Sequence, residues 1–240
     1  MTQTKDIQSI VILTGAGISA ESGLDTFRGT KADGWGIWAD HKIEDVATPE
    51  AFTRDPVLVH QFYNMRRANL HNVEPNAAHK ALTRLEKEFT GDVTVITQNV
   101  DDLHERAGSS NLIHMHGELR KAWCTSCDSR MAWKDDLSLE TECPSCRTKG
   151  SLRPDIVWFG EMPYQMNEIY SLLELCDLFA SIGTSGNVYP AAQFVQHASR
   201  HGAETIELNL EPSANHSDFD RRSYGKASEI IPEWVDQLLK

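Results

Sequence analysis

Ser9-Ile10-Val11-Ile12-Leu13-Thr14-Gly15-Ala16-Gly17-Ile18-Ser19-Ala20 is the stretch on which the reading of this chain turns. Ser9 to Leu13 is a continuous β-branched run without alternation. That pattern fits a strand buried on both faces of a parallel sheet. The turn after it follows the loose G-x-G-x-x-G/A spacing. Glycines there allow a tight turn and let backbone N–H groups approach a pyrophosphate at a helix N-terminus. Gly-rich turns are common, so this one alone leaves nucleotide binding and a plain tight turn equally open.

Similar strand candidates recur at Val93 to Thr97, Leu112 to Met115, Leu178 to Ile182 and Thr205 to Leu208. Helical patterns lie at Ala77 to Phe89, Met166 to Leu175 and Pro190 to Arg200, with Pro190 suited to a first helical turn. An amphipathic segment, Ile231 to Leu239, closes the chain. The alternation predicts an α/β fold with a Rossmann-type doubly wound parallel sheet. Two stretches break it. Residues 31–75 read as a helical insert, and residues 119–153 carry all the paired cysteines. Together they form the expected smaller lobe, leaving 1–30, 76–118 and 154–240 as the large lobe of one catalytic domain.

The 240 residues carry a net charge of −12, with 40% apolar and 8% aromatic residues. Those proportions are ordinary for a globular enzyme. The acidity argues against nucleic acid as a partner, since phosphate binding needs a concentrated positive surface. No apolar run approaches the roughly 20 residues of a membrane span. Met1 to Leu13 lacks the parts of a secretory signal, which makes the cytoplasm the default location and predicts no membrane association. The oligomeric state stays open, a monomer included.

Cys124-x-x-Cys127 and Cys143-x-x-Cys146 have the spacing of a four-thiolate zinc site. Each turn brings two sulfurs to one ion, and four sulfurs close the tetrahedron against water, so one structural zinc is expected. The fifth cysteine, Cys176, sits in an apolar helical pattern and reads as core.

Gln98-Asn99-Val100-Asp101-Asp102-Leu103-His104 follows one strand, and His114-Met115-His116-Gly117-Glu118-Leu119 ends the next. In a doubly wound sheet both lie in the ligand crevice. Asn99 or Asp101 can equally cap the helix that runs through Arg106. His116 has the right chemistry to accept a proton near neutral pH, although a lone histidine is more often structural. His114 reads as buried support. A dehydrogenase needs an acidic residue ending the second strand, whereas Thr30 to Trp35 reads as loop.

The extended form Gly15-Ala16-Gly17-Ile18-Ser19-x-x-Ser22-Gly23-x-x-x-Phe27-Arg28, the Gln98–Asp101 cluster, His116-Gly117 and the zinc module occur in the order seen in the sirtuins. The chain resembles that family of NAD-dependent protein-lysine deacylases over nearly its whole length. The resemblance implies that Gly15, Ala16, Gly17, Ser19 and Ala20 contact NAD, with Phe27 and Arg28 on a loop over the nicotinamide ribose. It implies that Asn99 and Asp101 hold nicotinamide and ribose, beside Gln98 and Val100. Gly183, Thr184, Ser185 and Asn187 would meet ribose and phosphate. Asn209, Leu210 and Glu211 would hold the adenosine ribose, and Ala227 would lie near adenine. His116 would be the catalytic base, with Asn99 and Asp101 completing the reacting centre. NAD is then a co-substrate, consumed to nicotinamide and O-acyl-ADP-ribose as lysine is freed.

Val157, Trp158, Phe159 and Gly160 match the family segment that takes an acylated-lysine protein as an added strand. Tyr63 and Arg66, three apart on a helical run, present a hydroxyl and a guanidinium on one face. With Ala47 nearby, the pair resembles the class III, desuccinylase branch, which implies succinyl or malonyl removal beside acetyl. The alternatives are an acetyl-selective deacetylase, an NAD-dependent protein ADP-ribosyltransferase, and a zinc-ribbon binding module on a degenerate nucleotide fold.

Overall fold

The computed structural model describes residues 7–24 and 42–240. Phe27 and Arg28, and the first part of the helical insert, lie outside the described residues.

Six parallel strands form the central sheet. They are β1 (Ser9–Thr14), β2 (Asp92–Thr97), β3 (Leu112–His114), β7 (Leu178–Ile182), β8 (Glu204–Asn209) and β9 (Arg221–Tyr224), in spatial order β3-β2-β1-β7-β8-β9. The order reverses between β1 and β7, so the sheet winds outward in both directions from that pair. This is the switch point at which doubly wound sheets bind ligands, beyond the carboxyl ends of the strands. The central strands are buried along nearly their whole length and are mostly apolar, because both faces are covered. On one face α4 (Ala77–Glu88) and α8 (Ala227–Leu238) bury Leu82, Leu85, Trp234 and Val235 against Ile10, Ile12 and Val95. On the other, α6 (Met166–Leu175) and α7 (Phe194–Arg200) bury Ile169, Leu173 and Phe194 against Val11, Leu13 and Phe179. Cys176 is buried in this second cluster, as its apolar setting predicts.

The second sheet is antiparallel, in the order β5-β4-β6, from β4 (Gly117–Cys124), β5 (Arg130–Ala132) and β6 (Leu152–Ile156). Beside it lie α1 (Ile43–Val46), α2 (Pro49–Arg54) and α3 (Pro56–Asn69). Asp55 starts α3 by accepting from the Leu58 N–H at 3.0 Å, and Pro56 supplies a first residue with no N–H to satisfy. Among the described residues one further α-helix, α5 (Leu103–Ala107), lies between β2 and β3. Arg67 of α3 is buried and ties this helix to the second sheet. Its Nε donates to the Leu119 carbonyl at 2.7 Å and its Nη1 to Asn64 Oδ1 at 2.9 Å. Asn64 itself exchanges two 2.9 Å bonds with the backbone of Leu137.

Two local expectations change. The helix predicted from Pro190 begins at Phe194, because Ala191–Gln193 forms a 3-10 turn closed by the Gln193 N–H on the Pro190 carbonyl. The turn after β1 leads into two 3-10 turns, Ala16–Ile18 and Ala20–Ser22, so no α-helix terminus faces the crevice there. Among the described residues, no helix is long and apolar enough to cross a membrane.

Candidate functional site

At the switch point, the turns that end β1 and β7 are bonded to each other. The Gly15 N–H donates to the Ile182 carbonyl at 3.0 Å, and the Gly17 N–H to the Gly183 carbonyl at 2.9 Å. A Cβ on Gly17 would stand 2.7 Å from Gly183 Cα, and one on Gly15 would stand 2.8 Å from the Gly183 oxygen. Glycine at both positions is what lets the two loops meet.

Above them a cleft of about 800 Å³ opens between the central sheet and the α3/β6 side. That size is within the range of small-molecule sites. Gly15, Ala16, Gly17, Ser19 and Ala20 line it, as do Gln98, Asn99, Val100, Asp101 and His116. So do Gly183, Thr184, Ser185, Asn187, Asn209, Leu210, Glu211 and Ala227. Ala47, Tyr63, Arg66, Val157, Trp158 and Phe159 form the opposite wall. Among the described cofactor and substrate candidates only Gly160 is off the wall. It sits at φ +91° in a turn closed by the Glu161 N–H on the Trp158 carbonyl, which carries it away. The cleft also takes Met65, Asn69, Tyr189, Pro212 and Ser213, none of which the motifs single out.

The polar floor is ordered by Ser19. Its Oγ donates to Asp101 Oδ2 at 3.1 Å and accepts from Asn99 Nδ2 at 3.1 Å. Asn99 Nδ2 also reaches the Gly15 carbonyl at 3.2 Å, and its backbone N–H donates to Thr97 Oγ1. Asp101 Oδ1 accepts from the Leu103 N–H at 3.1 Å, so Asp101, just before the N-cap Asp102, satisfies the first N–H of α5 while lining the cleft. Burial raises its pKa against these stabilising bonds.

His116 stands in the turn from β3 to β4. Gly117 makes that turn at φ +80°, with no room for a Cβ beside the Asp155 carbonyl. His116 Nδ1 lies 3.2 Å from the Gln98 carbonyl oxygen. A carbonyl only accepts, so Nδ1 carries the hydrogen and Nε2 keeps its lone pair. Burial pulls the imidazole down to about 4, against a smaller opposing effect of the Gln98 bond. At neutral pH His116 is therefore an uncharged ring ready to accept a proton.

On the opposite wall, the Tyr63 hydroxyl accepts from Trp158 Nε1 at 2.9 Å and has its own hydrogen to donate. Burial lifts it to about 12, so it stays protonated. Arg66 projects from the same helix, its guanidinium 5.6 Å from the Phe62 ring centroid. The Val157, Trp158 and Phe159 N–H groups are bonded to the His116 carbonyl, Glu161 Oε2 and the Ala47 carbonyl. These three N–H groups are therefore committed within the fold.

Away from the cleft, the four cysteine sulfurs lie within 4.8 Å of one another. Cys124 and Cys146 are 3.7 Å apart, and Cys127 and Cys143 are 3.9 Å apart. Zn–S bonds of ~2.3 Å make a tetrahedron with edges of ~3.8 Å, so the donor set fits one zinc with no open position. The two C-x-x-C turns share one construction. Asp128 and Arg147 follow them at φ +61° and +64°, and each donates its N–H back to the first cysteine's carbonyl.

Comparison with known proteins agrees over this whole architecture. The Sir2 family pattern matches residues 15–190. An NAD-dependent protein deacylase of Vibrio parahaemolyticus is 57% identical over 234 residues, covering 97% of this chain and 95% of that protein. A Sir2 homologue solved with NAD superposes with a TM-score of 0.87 at 38% identity, covering 97% of this chain and 90% of that one. A Sir2 protein solved with p53 peptide and NAD+ gives a TM-score of 0.80 at 28% identity, covering 97% and 94%.

Proposed function

The chain belongs to the Sir2 family and is an NAD-dependent protein deacylase, and we propose on that premise that it removes succinyl and malonyl as well as acetyl groups from protein lysines. One observation carries the proposal. A single cleft has the glycine turns and Gln98–Asp101 on one side, Tyr63, Arg66 and Ala47 on the other, and His116 among them.

In this reading the pyrophosphate of NAD rests against the Gly15–Ala20 turn and the Gly183–Asn187 loop, which line the same cleft. Asn209 to Glu211 and Ala227 take the adenosine end. Asn99 and Asp101 hold the nicotinamide end, with Gln98 and Val100 beside them. Bound NAD supplies an electrophilic ribose carbon with nicotinamide as its leaving group. His116 Nε2 accepts a ribose hydroxyl proton, and the Gln98 carbonyl keeps the ring in the required tautomer. The substrate backbone donates to carbonyls of the Val157–Phe159 segment, which sets strand direction without reading side chains. Freed lysine and O-acyl-ADP-ribose are the products. One structural zinc sits at Cys124, Cys127, Cys143 and Cys146, distant from these steps.

The acyl end reaches Tyr63 and Arg66. Tyrosine donates one hydrogen bond and arginine a charge-assisted pair, the arrangement that suits a terminal carboxylate. Ala47 is small and buried, which leaves room for a chain longer than acetyl. With a body charge of −12, the carboxylate is held by Arg66 at short range, not by the overall field.

The test is nicotinamide release on one peptide carrying acetyl-lysine or succinyl-lysine. Arg66→Met should lose succinyl turnover and keep acetyl turnover, while His116→Ala loses both. Equal loss on the two substrates in Arg66→Met overturns the acyl assignment and leaves the deacylase in place.

A further inference from the structure

On the face of the sheet opposite α4 and α8, Glu174 near the end of α6 meets His197 and His201 at the end of α7. One ligand atom from each of the three lies within 4.8 Å of the others. His197 Nε2 is 3.2 Å from Glu174 Oε1, and the two histidine rings stand 4.7 Å apart with 38° between their planes. His197 and His201 are four residues apart, one helical turn, which aligns their rings on one face. All three lie at or near the surface, so an ion can enter.

The hydrogen bonding already resembles that of ligating histidine. His201 Nδ1 donates to the His197 carbonyl at 2.8 Å, so Nε2 of that ring carries the lone pair. Metal-bound histidines typically give their second ring nitrogen to such a carbonyl, which sets tautomer and orientation. The Tyr170 ring, 5.0 Å from that of His197, restricts its movement. The other His/Glu group, Glu105–His114–Glu118, differs. There both ring nitrogens of His114 are committed, one to Glu105 and one to the Asn99 carbonyl.

We propose that Glu174, His197 and His201 form a second metal site, separate from the cysteine site, that takes one exchangeable divalent transition ion and clamps α6 to α7. Two imidazoles and one carboxylate select borderline ions such as Zn2+, Ni2+ and Cu2+ over Mg2+ and Ca2+. Three protein ligands leave at least one position for water, so the ion is exchangeable where the four-thiolate zinc is not. An ion held this way binds the folded chain only, so above its Kd it raises the melting temperature with the logarithm of free metal concentration.

The test uses untagged protein with its cysteine site loaded, washed with a mild chelator and dialysed against micromolar Zn2+. A second equivalent should appear, and Tm should rise with Zn2+. His197→Ala, His201→Ala and Glu174→Gln should each lose the second equivalent and the Tm response while keeping the first equivalent and deacylase turnover. Co2+ loaded into the second site should show no thiolate charge-transfer band. A stoichiometry of one in the wild-type chain overturns the proposal, and so does a second equivalent that survives in the histidine variants.

Discussion

His114 Nε2 lies 2.8 Å from Glu105 Oε1. Its other ring nitrogen, Nδ1, lies 3.3 Å from the Asn99 carbonyl oxygen. Both partners accept, so the ring satisfies both only as an imidazolium with two N–H groups. His116 makes the corresponding contact one residue earlier, at the Gln98 carbonyl. Two histidines two residues apart thus brace consecutive carbonyls of the loop that lines the cleft.

That brace predicts the effect of removing it. His114→Leu leaves the Glu105 carboxylate and the Asn99 carbonyl without this partner and loosens the Asn99–Asp101 loop. Losing hydrogen bonds of this kind costs about 1–2 kcal/mol, or a roughly 5- to 30-fold weakening. The loss should fall on KM for NAD, with the pH dependence of the His116 proton transfer unchanged. A variant that keeps its KM for NAD and loses only stability would show that His114 merely fills space.

The histidines also set the pH range of stability. Burial lowers His114, but the Glu105 bond and charge, Glu118 and the Asn99 carbonyl outweigh it and raise the ring above 6.5. Stability from this pair is complete below pH 6.5 and is lost as pH rises through the elevated native value. Burial acts unopposed on His79, and on His60 with help from Arg67, pulling each to about 4. His104 is held well below 6.5 by burial, with His79 and His114 adding to the effect. These rings, with His116, stay neutral in the native state while the unfolded chain takes up protons below pH 6.5. Acid therefore removes stability steeply between pH 6.5 and about 4. Denaturation midpoints against pH should fall toward both ends, and His79→Gln should flatten the acid limb.

Removal of the proposed zinc should reach beyond its own module. Arg67 and Asn64 hold α3 to Leu119, Asp135 and Leu137, and α3 also carries Tyr63 and Arg66 on its cleft side. Stripping the metal from four cysteines removes most of what folds such a small module. The expectation is lost protection of residues 119–153 in hydrogen exchange, followed by loss of succinyl turnover. Arg67→Met should reproduce the succinyl defect with zinc content intact. Unchanged acyl preference in that variant would show that α3 stands without the module.

Arg67 also marks where the sequence stops being readable. Tyr63/Arg66 and Asn64/Arg67 have the same i, i+3 spacing, and nothing in one helix tells which pair faces a cleft and which a neighbouring sheet. Arg66 and Arg67 look alike as charges, yet Arg67 is buried to 2% exposure. The strand-end glycines, Gln98 to Asp101 and His116 were legible because buried parallel strands have long apolar runs and their ends carry the chemistry. β9 was not, since Arg221-Arg222-Ser223-Tyr224 is a polar edge strand whose pairing on one side only leaves little apolar signature. Met65, Tyr189 and Ser213 reach the cleft through tertiary packing, which no local spacing encodes.

The tightest test of the cleft is its smallest residue. Gly17 touches Gly183 across the switch point, and an added methyl at Gly17 would lie 2.7 Å from Gly183 Cα and 2.8 Å from its oxygen. Both neighbours are backbone, so relief requires the β1 and β7 loops to separate. That breaks the 2.9 Å bond from the Gly17 N–H to the Gly183 carbonyl. Overpacking of this kind costs typically about 1–3 kcal/mol, which a folded domain of 5–15 kcal/mol survives. Gly17→Ala should therefore remain folded with its zinc retained, while NAD binding by calorimetry drops and turnover falls with acetyl and succinyl peptides alike. That equal loss separates it from Arg66→Met, whose defect depends on the acyl group. Wild-type NAD affinity in Gly17→Ala would mean that the loops yield without cost, and that the pyrophosphate lies elsewhere in the cleft.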